Sequence, residues 1–197
     1  MLVGHSMGAD VALRIAAALP ARIAGLALVD HNLRPVEAAS RLVAAEFREA
    51  DRTFRSVEDY AAWLAARRPV ADRMLIAEVA PRALRAMSGG GFALKRDPAL
   101  LAARTADGPN RDSLRMLAQL NVPVLVVRGR MSSFLSADAA RIAAETARDG
   151  TVVIVARAGH TVMLDDPEGL AQVLTAFAER AFAAEETVRV AALPYGN

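Results

Sequence analysis

Apolar positions along this chain follow two rhythms, a short unbroken run and a helical spacing, which alternate at both ends and give way to helical spacing alone in the middle. Leu2 and Val3 end a first apolar run at Gly4. Residues 9–19 then read as an Ala-rich helix, with Val11, Leu13, Ile15 and Ala16 available for packing. Pro20, Ala21 and Arg22 break the pattern, and residues 23–29 form an apolar run whose length and β-branched members suit a central parallel strand ending at Asp30. From Arg34 to about Leu120 no comparable strand is found. Residues 36–50, 57–66 and 71–87 carry helical spacing, so this region reads as an all-helical insertion. Ser56, with Asp59 three residues on, predicts an N-cap, while residues 88–91 and 107–110 read as loops.

The alternation resumes with a strand over 122–127, a helix over 136–147, a strand over 151–156 and a final helix over 167–184 that Asp166 would cap. Strands alternating with helices imply an α/β class with a parallel sheet. The predicted organisation is a core in two parts, residues 1–33 and 121–184, an insertion over 34–120, and a tail over 185–197. The β-like stretch at 188–193 in that tail has no assigned place.

Composition narrows the function classes. Hydrophobic residues make up 54% of the 197, enough for a sizeable core. The net charge is only +2, and arginines are interspersed with acids rather than gathered into a stripe, which argues against a nucleic-acid partner. The absence of cysteine excludes disulfides, thiolate metal sites and a cysteine nucleophile, and fits a reducing compartment. No apolar run approaches the ~20 residues of a membrane span, so a cytoplasmic protein without a membrane partner is expected.

The chemistry starts at Gly4-His5-Ser6-Met7-Gly8, set between a strand and a helix. A serine in such a turn is held in a strained conformation, and glycines on both sides keep a Cβ from striking the adjoining elements, so Ser6 is the candidate nucleophile. The order of Ser6, strand, helical insertion, strand, helix, strand and Gly159-His160 closely resembles the C-terminal part of an α/β-hydrolase with a helical cap, over residues 1 to about 184. The resemblance implies an α/β fold class, an incomplete α/β-hydrolase parallel sheet flanked by helices with an all-helical cap insertion.

That resemblance implies several roles. Residues 158–168 are similar to the histidine loop after the last strand, which makes His160 the general base. The Met7 N–H, following the nucleophile, would supply one oxyanion-hole donor. Residues 127–136 resemble the loop where many relatives carry the triad acid, yet Ser132 and Ser133 stand in those places. Asp30, ending the strand after the nucleophile helix, is the preferred substitute, with Asp138 a distant second. His5 is expected to pack or hydrogen-bond near the elbow, and His31 to lie at the cap junction.

The resemblance implies a serine hydrolase acting on a small to medium hydrophobic ester, lactone or related carbonyl compound, without cofactor or metal. Phe47, Phe54, Tyr60, Trp63 and Phe92 are read first as the core of the cap rather than as substrate contacts. Because only Leu2 and Val3 precede the elbow, a longer parent chain is expected, and an open sheet edge could support self-association. The alternative is a non-catalytic binding protein or an inactive remnant of the same fold.

Overall fold

The structure is a computed structural model that describes residues 1–34, 37–97, 99 and 112–191. The chain divides into two compact units, Met1–Arg34 with Arg111–Asn197, and Pro35–Asn110.

The first unit is built on four parallel strands, β1 (Leu2–His5), β2 (Leu26–Val29), β5 (Val124–Gly129) and β6 (Gly150–Val155), in the order β1-β2-β5-β6. Every side chain of β2 is buried, as its unbroken apolar run requires of a strand covered on both faces. It begins at Leu26 rather than Ile23, because the Ile23 amide closes a single turn on Pro20 (3.3 Å) before the strand starts. Leu26, Leu28, Val124 and Val126 pack on one face against Ala9, Leu13 and Ala16 of α1 (Met7–Ala18), Leu117 of α5 (Ser113–Gln119), and Ala140 and Ala143 of α6 (Ala137–Thr146). Ala27, Val29, Leu125, Val127 and Val155 face the other way, onto Leu170 and Phe177 of the last helix, α8 (Pro167–Ala191). A one-turn helix, α7 (Val162–Asp165), leads into it.

Asp166 caps α8 as expected, its Oδ1 accepting from the Gly169 amide (3.0 Å), and the Ser136 hydroxyl caps α6 by accepting from the Ala139 amide (3.1 Å). Helix α8 continues to Ala191, so residues 188–191 are helical where their pattern reads as β. The Ala- and Glu-rich stretch at 183–186 carries the helix onward, and extending a helix costs far less than starting one.

The second unit holds α2 (Glu37–Ala50), α3 (Val57–Arg67) and α4 (Arg73–Ala83). Ser56 caps α3 by accepting from the Asp59 amide (3.2 Å). Phe54, fully buried, packs edge-on against Tyr60 (5.1 Å between centroids) and Trp63 (5.8 Å). The Arg96 guanidinium covers Phe47 at 4.5 Å, and ion pairs from Arg67 to Glu49 and from Arg68 to Glu46 tie α3 to α2.

This unit is not helical throughout. The helix expected over 71–87 stops at Ala83, just beyond Pro81, where Leu84 turns extended, and β3 (Leu84–Ala86) pairs antiparallel with β4 (Phe92–Leu94). Gly90 and Gly91 make the reversal possible with φ of 88° and 76°; a Cβ on Gly91 would also meet the Phe54 carbonyl oxygen at 2.7 Å. The expected loop at 107–110 lies outside the described residues.

Helix α5 packs on α1 within the first unit, although its residues fall inside the predicted 34–120 insertion. At the other side of the sheet order, the outer edge of β1 has no strand partner among the described residues. Beside it Val3, Met7, Val11, Ile15 and Leu19 are 39–51% exposed, the last four on one face of α1 at four-residue spacing. Among the described residues no helix is long and apolar enough to cross a membrane.

Candidate active site

Ser6 is the single residue between β1 and α1, with φ 50° and ψ −122°, a conformation that costs a non-glycine residue on the order of 1–3 kcal/mol. Its amide donates to the Val29 carbonyl (3.0 Å) and its carbonyl accepts from the Ala9 amide (2.9 Å), so the turn is held from both sides. A Cβ on Gly4 would lie 2.3 Å from the Gly8 carbonyl oxygen and 2.5 Å from Ala9 Cα, so close approach of strand and helix requires glycine there. At Gly8 a Cβ would meet nothing within 4 Å, which corrects the expectation that both glycines are needed on steric grounds. Met7 opens α1, at a helix end where backbone N–H groups have no acceptor within the helix.

Asp30 follows β2 with φ 46°, a left-handed conformation that Asp tolerates better than most residues. Its side chain is buried and fully engaged. Oδ1 accepts from the Gly129 amide (2.9 Å), and Oδ2 accepts from the Ser132 hydroxyl (2.5 Å) and from His160 Nδ1 (2.8 Å). A carboxylate taken out of water persists only with such partners. With the Nδ1 proton directed at Asp30, the neutral imidazole presents a free lone pair at Nε2.

Two rings lie tilted against that of His160, Phe134 at 4.1 Å between centroids and His5 at 4.7 Å. His5 Nε2 also donates to the His160 carbonyl (2.8 Å), so the residue preceding Ser6 touches the histidine loop directly. That loop is braced by the Gly159 amide donating to Asp165 Oδ2 (2.8 Å). The facing loop is braced by Arg128, whose guanidinium donates to the carbonyls of Leu135 (2.7 Å), Arg130 (3.1 Å) and Ser132 (3.5 Å).

Of the residues singled out in the sequence, Asp30 and His160 are in direct contact, and Ser6 stands next to His5, which contacts His160. Asp138 is elsewhere: its side chain is 87% exposed and pairs with Arg141 (3.9 Å), so it is not an acid for His160. Ser133 is exposed while Ser132 is buried. Ser132, Phe134 and Arg128 form part of the site without having been anticipated. Only Ser132 had left a signal, by standing where an acid was expected.

A family model, the alpha/beta hydrolase family, matches residues 1–173. The chain belongs to this family. It is 29% identical over 177 residues to 2-(acetamidomethylene)succinate hydrolase of Mesorhizobium japonicum, covering 90% of this chain and 63% of that protein. A crystal structure of E-2-(acetamidomethylene)succinate hydrolase superposes with a TM-score of 0.81 at 28% identity, over 90% of this chain and 66% of the other. The thioesterase domain from the curacin biosynthetic pathway follows at TM-score 0.68 and 26% identity, over 89% of this chain and 64% of that domain. The chain therefore spans less than two thirds of the length of these relatives.

A cavity of about 410 Å³ in the first unit lies elsewhere, between β6 and α8, lined by groups such as Thr151, Val153, Val173 and Phe177. It holds none of the groups around His160. Among the described residues no cluster of His, Asp and Glu could hold a metal ion.

Proposed function

We propose that this chain carries the catalytic triad of a serine hydrolase, with Ser6 as nucleophile, His160 as general base and Asp30 as the acid that orients it. The observation that carries the reading is the hydrogen bond between buried Asp30 and half-buried His160, whose loop is touched by His5, the residue before the strained Ser6. His160 Nε2 takes the Ser6 proton as Oγ attacks a carbonyl carbon, and Asp30 stabilises the imidazolium that forms. The Met7 N–H donates to the developing oxyanion. His160 then returns the proton to the leaving group, and water admitted by the same base clears the acyl-enzyme.

The substrate class is a small to medium hydrophobic carbonyl compound, an ester, a lactone or a relative of these. The similarity to a hydrolase of 2-(acetamidomethylene)succinate and to a thioesterase domain supports a carbonyl carbon as the point of attack, and widens the class to amides and thioesters. The triad uses no cofactor and no metal.

A fluorophosphonate probe tests the reading, because it reacts with an activated serine whatever the natural substrate. Labelling is expected for the native chain and is expected to vanish in Ser6→Ala and His160→Ala. A folded native chain that takes no label would overturn the triad and favour a binding protein that keeps the fold without the chemistry.

A further inference from the structure

We propose that His5 is a positioning residue for the general base: its ring ties the main chain of His160 to the strand that carries Ser6, so the residue before the nucleophile sets where the base stands. The inference rests on the triad reading above. It starts from one carbonyl. A carbonyl oxygen can only accept, so His5 Nε2, 2.8 Å from that of His160, carries a proton and donates it. The bond joins the end of β1 to the loop after β6, across 155 residues of sequence.

With that bond, the three triad residues lie on one closed circuit. His5 and Ser6 share a peptide bond, which keeps their Cα atoms about 3.8 Å apart. The Ser6 amide donates to the Val29 carbonyl (3.0 Å), and Val29 stands opposite His5 in the sheet register. Val29 leads directly into Asp30, whose Oδ2 accepts from His160 Nδ1 (2.8 Å). The His160 carbonyl then returns the circuit to His5. Each link between residues is a peptide bond or a hydrogen bond no longer than 3.0 Å.

His160 is therefore gripped at two points, its ring at Nδ1 by Asp30 and its main chain at the carbonyl by His5. Held at Nδ1 alone, the imidazole pivots about that bond, and Nε2 on the far side of the ring swings through an arc. A grip on the main chain removes that freedom. Other ties brace the loop on either side of His160: the Ala158 carbonyl accepts from the Met131 amide (2.9 Å), the Gly159 amide donates to Asp165 Oδ2 (2.8 Å), and the Thr161 carbonyl accepts from the Leu164 amide (2.8 Å). Those hold the loop to itself and to the loop after β5, whereas His5 holds it to the nucleophile strand. The two histidine rings meet at a 44° tilt, neither stacked nor edge-on, so the hydrogen bond rather than the ring contact fixes the position.

The experiment compares the native chain with His5→Gln, His5→Met and His5→Phe. Glutamine brings an amide N–H close to where Nε2 stands, methionine matches glutamine in size without a donor, and phenylalanine keeps a ring without one. The second-order rate of fluorophosphonate labelling is measured, with kcat and KM on p-nitrophenyl acetate and circular dichroism for the fold. His5→Met and His5→Phe are expected to lower kcat roughly 10- to 100-fold with KM nearly unchanged, as for a base displaced by up to about 1 Å, and His5→Gln to recover most of the loss. A folded His5→Met or His5→Phe within about threefold of native, or a folded His5→Gln no faster than His5→Met, overturns the proposal. Where His5→Phe does not fold, His5→Gln against His5→Met decides it. A folded native chain that takes no label overturns the triad reading and this one with it, whereas a labelled native chain leaves the His5 variants to judge this one alone, which separates the two failures.

Discussion

Gly129→Ala is the most demanding test of how the two loops are joined. Gly129 ends β5, and a Cβ built there would lie 2.0 Å from the Gly159 carbonyl oxygen and 2.7 Å from that of Ala158. Both atoms are backbone, so no side chain can turn aside. Real Cβ contacts stay beyond 3.0 Å, so the histidine loop must retreat by at least about 1 Å. Gly159 immediately precedes His160, and the Gly129 amide donates to Asp30 Oδ1, so the displacement falls on both partners of the Asp30–His160 bond. Misplacing a catalytic group by about 1 Å can cost roughly 10²-fold in rate, and forcing a methyl into a filled site costs about 1–3 kcal/mol of stability. Labelling rate is measured with fluorophosphonate and stability with urea. A folded Gly129→Ala chain labelled within threefold of native would show that the contact between the loops does not set the geometry of the pair.

Four further outcomes are expected. Asp30→Asn should cut the labelling rate about 10⁴-fold, since an amide NH₂ facing His160 Nδ1 forces the wrong tautomer; an unchanged rate in folded protein would remove Asp30 from the triad. Gly4→Ala should lose at least about 3 kcal/mol or fail to fold, while Gly8→Ala stays within about 1 kcal/mol, as urea melts of both variants would reveal. Burial raises the Tyr60 pKa above its usual 10, so the folded state holds that proton longer. Its contribution is intact below pH 10 and lost as pH rises through the folded value, and phenolate absorbance of the native chain against Tyr60→Phe should reveal a step only above pH 10. Finally, the stripe from Val3 to Leu19 offers on the order of 400 Å² of apolar surface. Two copies that also pair their β1 edges approach the ~1,000 Å² of a specific interface. Sedimentation should therefore find association that Val11→Glu with Ile15→Lys reverses, and a native monomer at tens of micromolar would refute it.

The core strands and their helices were legible because each carries its own signal: the unbroken run before Asp30, the alternation resuming near Val122, and the cap Asp166, as α3 was from its cap Ser56. The hairpin of β3 and β4 was not. Three-residue strands are too short to show a period, and their pairing depends on positive φ at Gly90 and Gly91, which a run of glycines permits without announcing. The continuation of α8 was hidden for the opposite reason, since Val188 and Val190 read as β while the helix already running through them sets their conformation.

The site divides along a similar line. Ser6 and His160 stand in local patterns that declare them, but an acid is defined only by what it faces, and two serines where an aspartate was expected left that place empty in one dimension. In three dimensions the place is filled from elsewhere. Asp30 comes from 102 residues away to meet Ser132, and from 130 to meet His160. The loop after β5 supplies a hydroxyl donor at Ser132 and the end of β2 the carboxylate at Asp30. This division of labour also bears on Phe134 and Arg128. Phe134 lies against the imidazole, and Arg128 on β5 gathers the carbonyls of Arg130, Ser132 and Leu135, which holds the shape of the loop that carries Ser132 and Phe134.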